Sequence, residues 1–274
     1  MRYLLLAGLL LAASAAAAQT TRTVQATELW PEAQGELALQ NGDYLLLGLR
    51  GERSQADNSY TNNNRSLGFN AYRLMAGYEH FWSPAWSVGG TLRLTGGPGQ
   101  LNLLVPEVLL RHRSPIFGGI TFGQRLSVER LFFVNTQTAA GIEGQTWTRL
   151  RLDLEKLLPL GTEAAGLALR PRLSYEASTH LRLQKAAGDP DERTIQFTSL
   201  RGELGVRVSP SFDFTPWFAY QTSYGTSLPQ YDNNGNQVRG GKYNDVYPTV
   251  GLDLRYTLLP AGGKAARQQL PTQH

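Results

Sequence analysis

Cysteine is missing from the 274 residues, which excludes disulfides, thiolate metal sites and anchoring through a lipidated cysteine. Lysine is nearly missing too: of 26 basic residues all but four are arginine, against 22 acids. The arginines stand singly along alternating segments and are interleaved with acids. A phosphate-facing patch would cluster them, so a nucleic-acid partner is not expected. Histidine is scarce (His80, His112, His180 and His274), which leaves little material for imidazole metal sites or His-activated nucleophiles. Long apolar runs are also lacking. The one run, residues 3–13, follows Arg2 and leads into Ala16, Ala17 and Ala18. That order is expected of a secretory signal peptide over residues 1–18, with the mature chain starting at Gln19. The run is about half of the ~20 residues that a membrane-spanning helix requires.

What the chain does have is alternation. Residues 149–155 read RLRLDLE, with Leu150, Leu152 and Leu154 on one phase and Arg149, Arg151, Asp153 and Glu155 on the other. Leu169 and Leu173 likewise oppose Arg170, Arg172 and Glu176, and Leu200 and Leu204 oppose Arg201 and Glu203. A period of two with one apolar and one charged face is the mark of amphipathic strands. Ten such strands are expected, near residues 43–53, 67–81, 86–95, 101–112, 119–131, 146–157, 165–176, 194–208, 212–223 and 246–258. Twelve remain possible if more strand hides near the N-terminus.

Their connections alternate between tight turns (82–85, 114–118, 158–164, 209–211) and long polar loops (54–66, 132–145, 177–193, 224–245). Only 96–100 is short where a long loop is due. Short turns on one rim and long loops on the other predict an all-β, transmembrane antiparallel β-barrel, with the short rim periplasmic. An even count puts both ends of the barrel in the periplasm. On this reading residues 19–42 form a periplasmic lead-in, 43–258 the barrel and 259–274 a polar tail. Aromatics are expected to mark the rims, with Phe81, Trp82 and Trp86 at one and Trp147, Tyr175, Tyr220 and Tyr247 at the other. The charged phase faces inward, so arginines held by carboxylates should cross-link the lumen. A soluble sandwich has the same periodicity with the opposite burial, leucines in and charges out.

The closing strand, TVGLDLRY at 249–256, carries Gly251, Leu254 and Tyr256. It resembles the C-terminal strand by which bacterial outer-membrane barrels are handed to their assembly machinery. Together with the leader and the arginine–leucine strands, it makes the chain similar to uncharacterised outer-membrane barrel proteins of Bacteroidota. The resemblance implies the outer membrane, its lipid and its assembly machinery as surroundings, and implies no activity, ligand or cofactor.

Candidate chemistry is sparse. The Asp–His couple of omptin-like proteases has no counterpart, since no Asp-x-His occurs. A histidine-activated serine would have to be Ser178 with His180, near Glu176 in the segment after the seventh strand. Residues 232–236, DNNGN, are oxygen-rich like part of a calcium loop but lack the downstream bidentate glutamate, so no metal site is expected. Two functions stay open. One is a non-enzymatic barrel acting as narrow pore, receptor or structural element; the other is a lipid hydrolase or acyltransferase at the outer leaflet.

Overall fold

A computed structural model describes residues 21–63, 65–98, 102–134, 144–160, 167–181, 193–234 and 237–259. The expected leader and nearly all of the tail lie outside them. Thirteen strands follow one another among the described residues. They are β1 (Thr21–Val24), β2 (Glu28–Ala38), β3 (Tyr44–Ser54), β4 (Ala71–Phe81), β5 (Trp86–Gly96), β6 (Leu103–Pro115) and β7 (Ile120–Phe133). Then come β8 (Gln145–Lys156), β9 (Leu158–Pro159), β10 (Ala168–His180), β11 (Phe197–Ser209), β12 (Phe212–Tyr231) and β13 (Gln237–Leu258). Each strand from β2 onward pairs antiparallel with the next, β9 standing aside against β10 alone. The ring closes where β13 meets β2, Thr249 opposite Glu28 through Leu258 opposite Leu37.

The result is a closed barrel of eleven strands. Its inside and outside are decided by burial. Leu47, Leu49, Val108 and Leu173 are more than half exposed, whereas Arg50, Glu79 and Asp253 are almost fully buried. A sandwich would reverse this, so the charged phase is the lumen and the leucine phase is the outer wall.

The N-terminal lead-in is therefore a correction. Glu28–Ala38 is a barrel strand, hydrogen-bonded to β3 on one side and β13 on the other. It hides in the sequence because between Leu29 and Leu37, at its two ends, its outward residues are Pro31, Ala33 and Gly35, small and not leucine-like. Pro31 also reads as a breaker, having no N–H for a ladder. The β2–β3 register accommodates it by lapsing between Leu29 and Glu32. Pro106 and Pro216 sit in similar gaps, of the β6–β7 and β11–β12 ladders.

Eleven is odd, so the first and last strands must run the same way, and the β2–β13 seam is parallel. The expected placing of both ends at one rim fails for the same reason. Leu258 is at the rim of the short turns, while Thr21 is at the rim of the long loops.

The expected loop 224–245 is also revised. β12 and β13 stay paired from Thr222 opposite Val246 up to Tyr231 opposite Gln237, as a ribbon above the long-loop rim. β1 pairs along its free edge, Thr21 opposite Tyr243. Of the oxygen-rich segment, Asp232 and Asn234 form an Asx turn, the Asn234 amide donating to Asp232 Oδ1 at 2.9 Å, and residues 235 and 236 lie outside the described residues. At the opposite rim Gly118 and Gly119 take φ of 62° and 73°, a left-handed pair that only glycine adopts without strain.

Candidate functional site: an arginine vestibule

The lumen is divided along its length. In the short-turn half, guanidinium–carboxylate pairs reach across the interior. Arg111 lies 2.7 Å from Glu79, Arg255 lies 3.1 Å from Glu36, and Arg125 meets Glu107. Arg172 is 2.5 Å from Glu203 and 3.8 Å from Glu155, which is also 3.7 Å from Arg170. Asp153 is buried in the same layer. From β2, Glu36 completes these layers while Glu32 pairs with Arg50 at 2.6 Å, and sequence reasoning missed both because it left that strand outside the barrel.

The long-loop half is different: it holds a cavity of about 370 Å³. Six arginines line it (Arg50, Arg73, Arg93, Arg149, Arg151 and Arg201) but only two acids, Glu129 and Glu176. The period of two places them: each lies on the inward phase of its strand, on β3, β4, β5, β8 and β11. Arg149 is clamped between Glu129 at 2.8 Å and Glu176 at 2.7 Å. Arg93 also reaches Glu129, and Arg73 is 3.0 Å from Glu52. Arg151 donates to Ser174 Oγ at 3.2 Å.

The acids are set behind the cations. Glu129 and Glu176 side chains are 5% and 7% exposed, against 21% for Arg73 and 17% for Arg149. What the cavity presents to a visitor is therefore cationic. The Nε atoms of Arg73, Arg93 and Arg149 are buried with no acceptor among the described residues.

Three indoles complete the wall: Trp30, Trp147 and Trp217. Trp30 and Trp217 meet edge to face at 6.1 Å. The Arg50 guanidinium stands 4.9 Å from the Trp30 ring centre and that of Arg201 4.0 Å from Trp217. Stacking fixes the plane of a guanidinium and turns its N–H edge sideways. Trp217 is itself locked by its Nε1–H donating to Asp253 Oδ1 at 2.7 Å and by Gly251 beneath it. A Cβ at position 251 would come within 2.1 Å of the Trp217 ring, so Gly251 leaves room for this wall.

Of the residues singled out in the sequence, Arg149, Arg151, Glu176, Ser178 and Arg201 come together at the cavity. Asp153, Glu155, Arg170, Arg172 and Glu203 belong to the cross-linked half. Leu254 and Tyr256 face outward and are about half exposed. Trp147 is another correction: it lies on the inward phase and lines the cavity instead of joining an outer aromatic belt. Trp30 and Trp217 were missed. For Trp217 a signal existed, because it falls on the polar phase of its strand between Thr215 and Ala219.

Ser178 and His180 are at the end of β10, not in a loop. Ser178 is buried, and His180 stacks on Trp147 at 5.6 Å. The carboxylate that could orient a catalytic histidine, Glu176, is held by Arg149 instead. No group of three metal-ligating side chains occurs among the described residues. No protein-family model matches this chain, and neither does any curated protein or solved structure.

Proposed function

We propose that the chain is an outer-membrane β-barrel whose lumen is closed by its own arginine–carboxylate pairs. Its work is done at the long-loop rim, as a receptor or structural element and not by catalysis. The observation that carries this reading is the inverted burial. Returning a half-exposed leucine to apolar surroundings is worth about 1 kcal/mol, and over the outward residues of the barrel the sum reaches tens of kcal/mol. That exceeds the net stability of a typical domain, ~5–15 kcal/mol, so lipid is the natural surrounding of this wall. Strands of 11 residues such as β3 rise roughly 26–31 Å at the usual tilt of membrane barrels, enough for their ~25 Å apolar band. The expected leader, and a closing strand whose Leu254 and Tyr256 face outward, fit export and hand-over to the assembly machinery.

A lipid hydrolase or acyltransferase is disfavoured by the use of Glu176 as a partner of Arg149. Two measurements test the proposal. The protein should sediment with outer membranes and migrate as a heat-modifiable band, and recovery in the soluble fraction after detergent-free lysis would sink the membrane reading. In planar bilayers it should pass little steady current. Large, stable single-channel currents would make an open pore the better account.

A further inference from the structure

We infer that the vestibule is a binding site for a small ring-bearing organic anion, of monosaccharide to disaccharide size, charged through a carboxylate, sulfate or phosphate. This deepens the reading of a closed barrel that works at its long-loop rim, and rests on it. Three independent features point the same way. The first is size: about 370 Å³ lies in the range of small-molecule pockets and far exceeds the space of a bare oxyanion. The second is charge. Each carboxylate in the wall is taken up by a guanidinium, and where Arg93 and Arg149 meet Glu129 the solvent-facing members are the cations.

The third is shape. Trp30, Trp147 and Trp217 give flat walls, which suit the face of a ring better than an extended chain. The cations are also pre-set. Arg149 is held from two sides by Glu129 and Glu176, and Arg201 lies over Trp217, tied to Glu203 and Asp253, so an arriving oxyanion meets positive charge already in place, at little ordering cost. A neutral sugar would leave that charge unanswered, and a cation would be repelled.

The test titrates the full-length protein, folded in detergent micelles, with galacturonate, glucose 6-sulfate and glucose 6-phosphate. Glucose and sodium sulfate serve as controls, and indole fluorescence is the readout. At least one charged sugar should quench saturably, and the comparison among the three tells a carboxylate ligand from an oxyanion ester. Arg93→Gln should weaken binding about tenfold, the worth of one charge-assisted hydrogen bond. Arg73→Gln is the second variant should the first not fold. Arg207→Gln, beside Asp213 at the opposite rim, should bind as the unaltered protein does.

No saturable quenching by any charged sugar up to about 10 mM, weaker than any useful affinity, overturns the inference. So does equal quenching by glucose. Sodium sulfate binding as tightly as the sugars overturns the requirement for a ring. The micelle titration reads neither location nor conductance. A folded, non-conducting barrel that binds none of the sugars therefore sinks this inference alone, and a conducting barrel that binds sinks only the closed lumen.

Discussion

At the scale of single residues the interior follows the arithmetic of buried ions, in which an intact pair adds little but a broken one costs much. Glu203 is the clearest case, paired with Arg172 at 2.5 Å and accepting from Arg201 at 2.8 Å. Glu155 lies on the other side of Arg172. Glu155→Gln with Glu203→Gln removes two of the carboxylates around a guanidinium that has no exposure to water. The double variant should lose about 3–5 kcal/mol, read as a lower denaturant midpoint for the heat-modifiable band. An unchanged midpoint would mean that these pairs do not brace the lumen.

Asp43, in the turn before β3, is a second test, and it depends on pH. Enclosure of its carboxylate pushes the pKa up. The Tyr78 hydroxyl, the Phe81 amide at 3.2 Å and His80 Nδ1 at 2.8 Å outweigh that, and the net shift is downward. A folded pKa below the unfolded value, ~3.9 for aspartate, gives stability that is fully present above that pH. It drains away as pH falls through the folded pKa. Asp43→Asn should accordingly be less stable than the unaltered protein at pH 7, with the difference closing at pH 3. A gap of equal size at both pH values would assign the effect to hydrogen-bond geometry and not to charge.

At the scale of elements, what was legible in the sequence depended on contrast between the two faces of a strand. β8, with Leu150, Leu152 and Leu154 against Arg149, Arg151 and Asp153, declares its phase outright. The structure exposes the leucines, buries Arg151 and Asp153, and leaves Arg149 half-buried at the cavity. β2 has charge on its inner face, Glu32 and Glu36, but on its outer face only Leu29 and Leu37 at the ends with proline, alanine and glycine between them, so its period of two was muted. The upper parts of β12 and β13 were missed for another reason. Above the barrel both faces of the ribbon are polar, and only pairing with a neighbour makes it a strand. The cavity was the least legible feature. Periodicity assigns a side chain to a face but not to a height, and the split between cross-linked layers and vestibule is a matter of height. Trp217 illustrates this, since only the register that sets it over Gly251 makes it a wall of the cavity.

At the scale of the whole molecule the odd strand number is the feature with the furthest consequence. Because β2 and β13 run in parallel, the chain enters the barrel at one rim and leaves it at the other. In the outer membrane proposed for it, with long loops outward and short turns inward as membrane barrels are oriented, Thr21 would stand on the cell surface and Leu258 in the periplasm. A ten-stranded barrel without β2 would put both inside. An epitope inserted immediately before Thr21 should be stained by antibody on intact cells, and one placed after Leu259 only once the outer membrane is permeabilised. Protease added to intact cells should likewise remove the first epitope and spare the second. If both epitopes are hidden in intact cells, β2 is not part of the barrel in the membrane. Glu32 and Glu36 would then be withdrawn from Arg50 and Arg255, and the vestibule would lose the wall that carries Trp30.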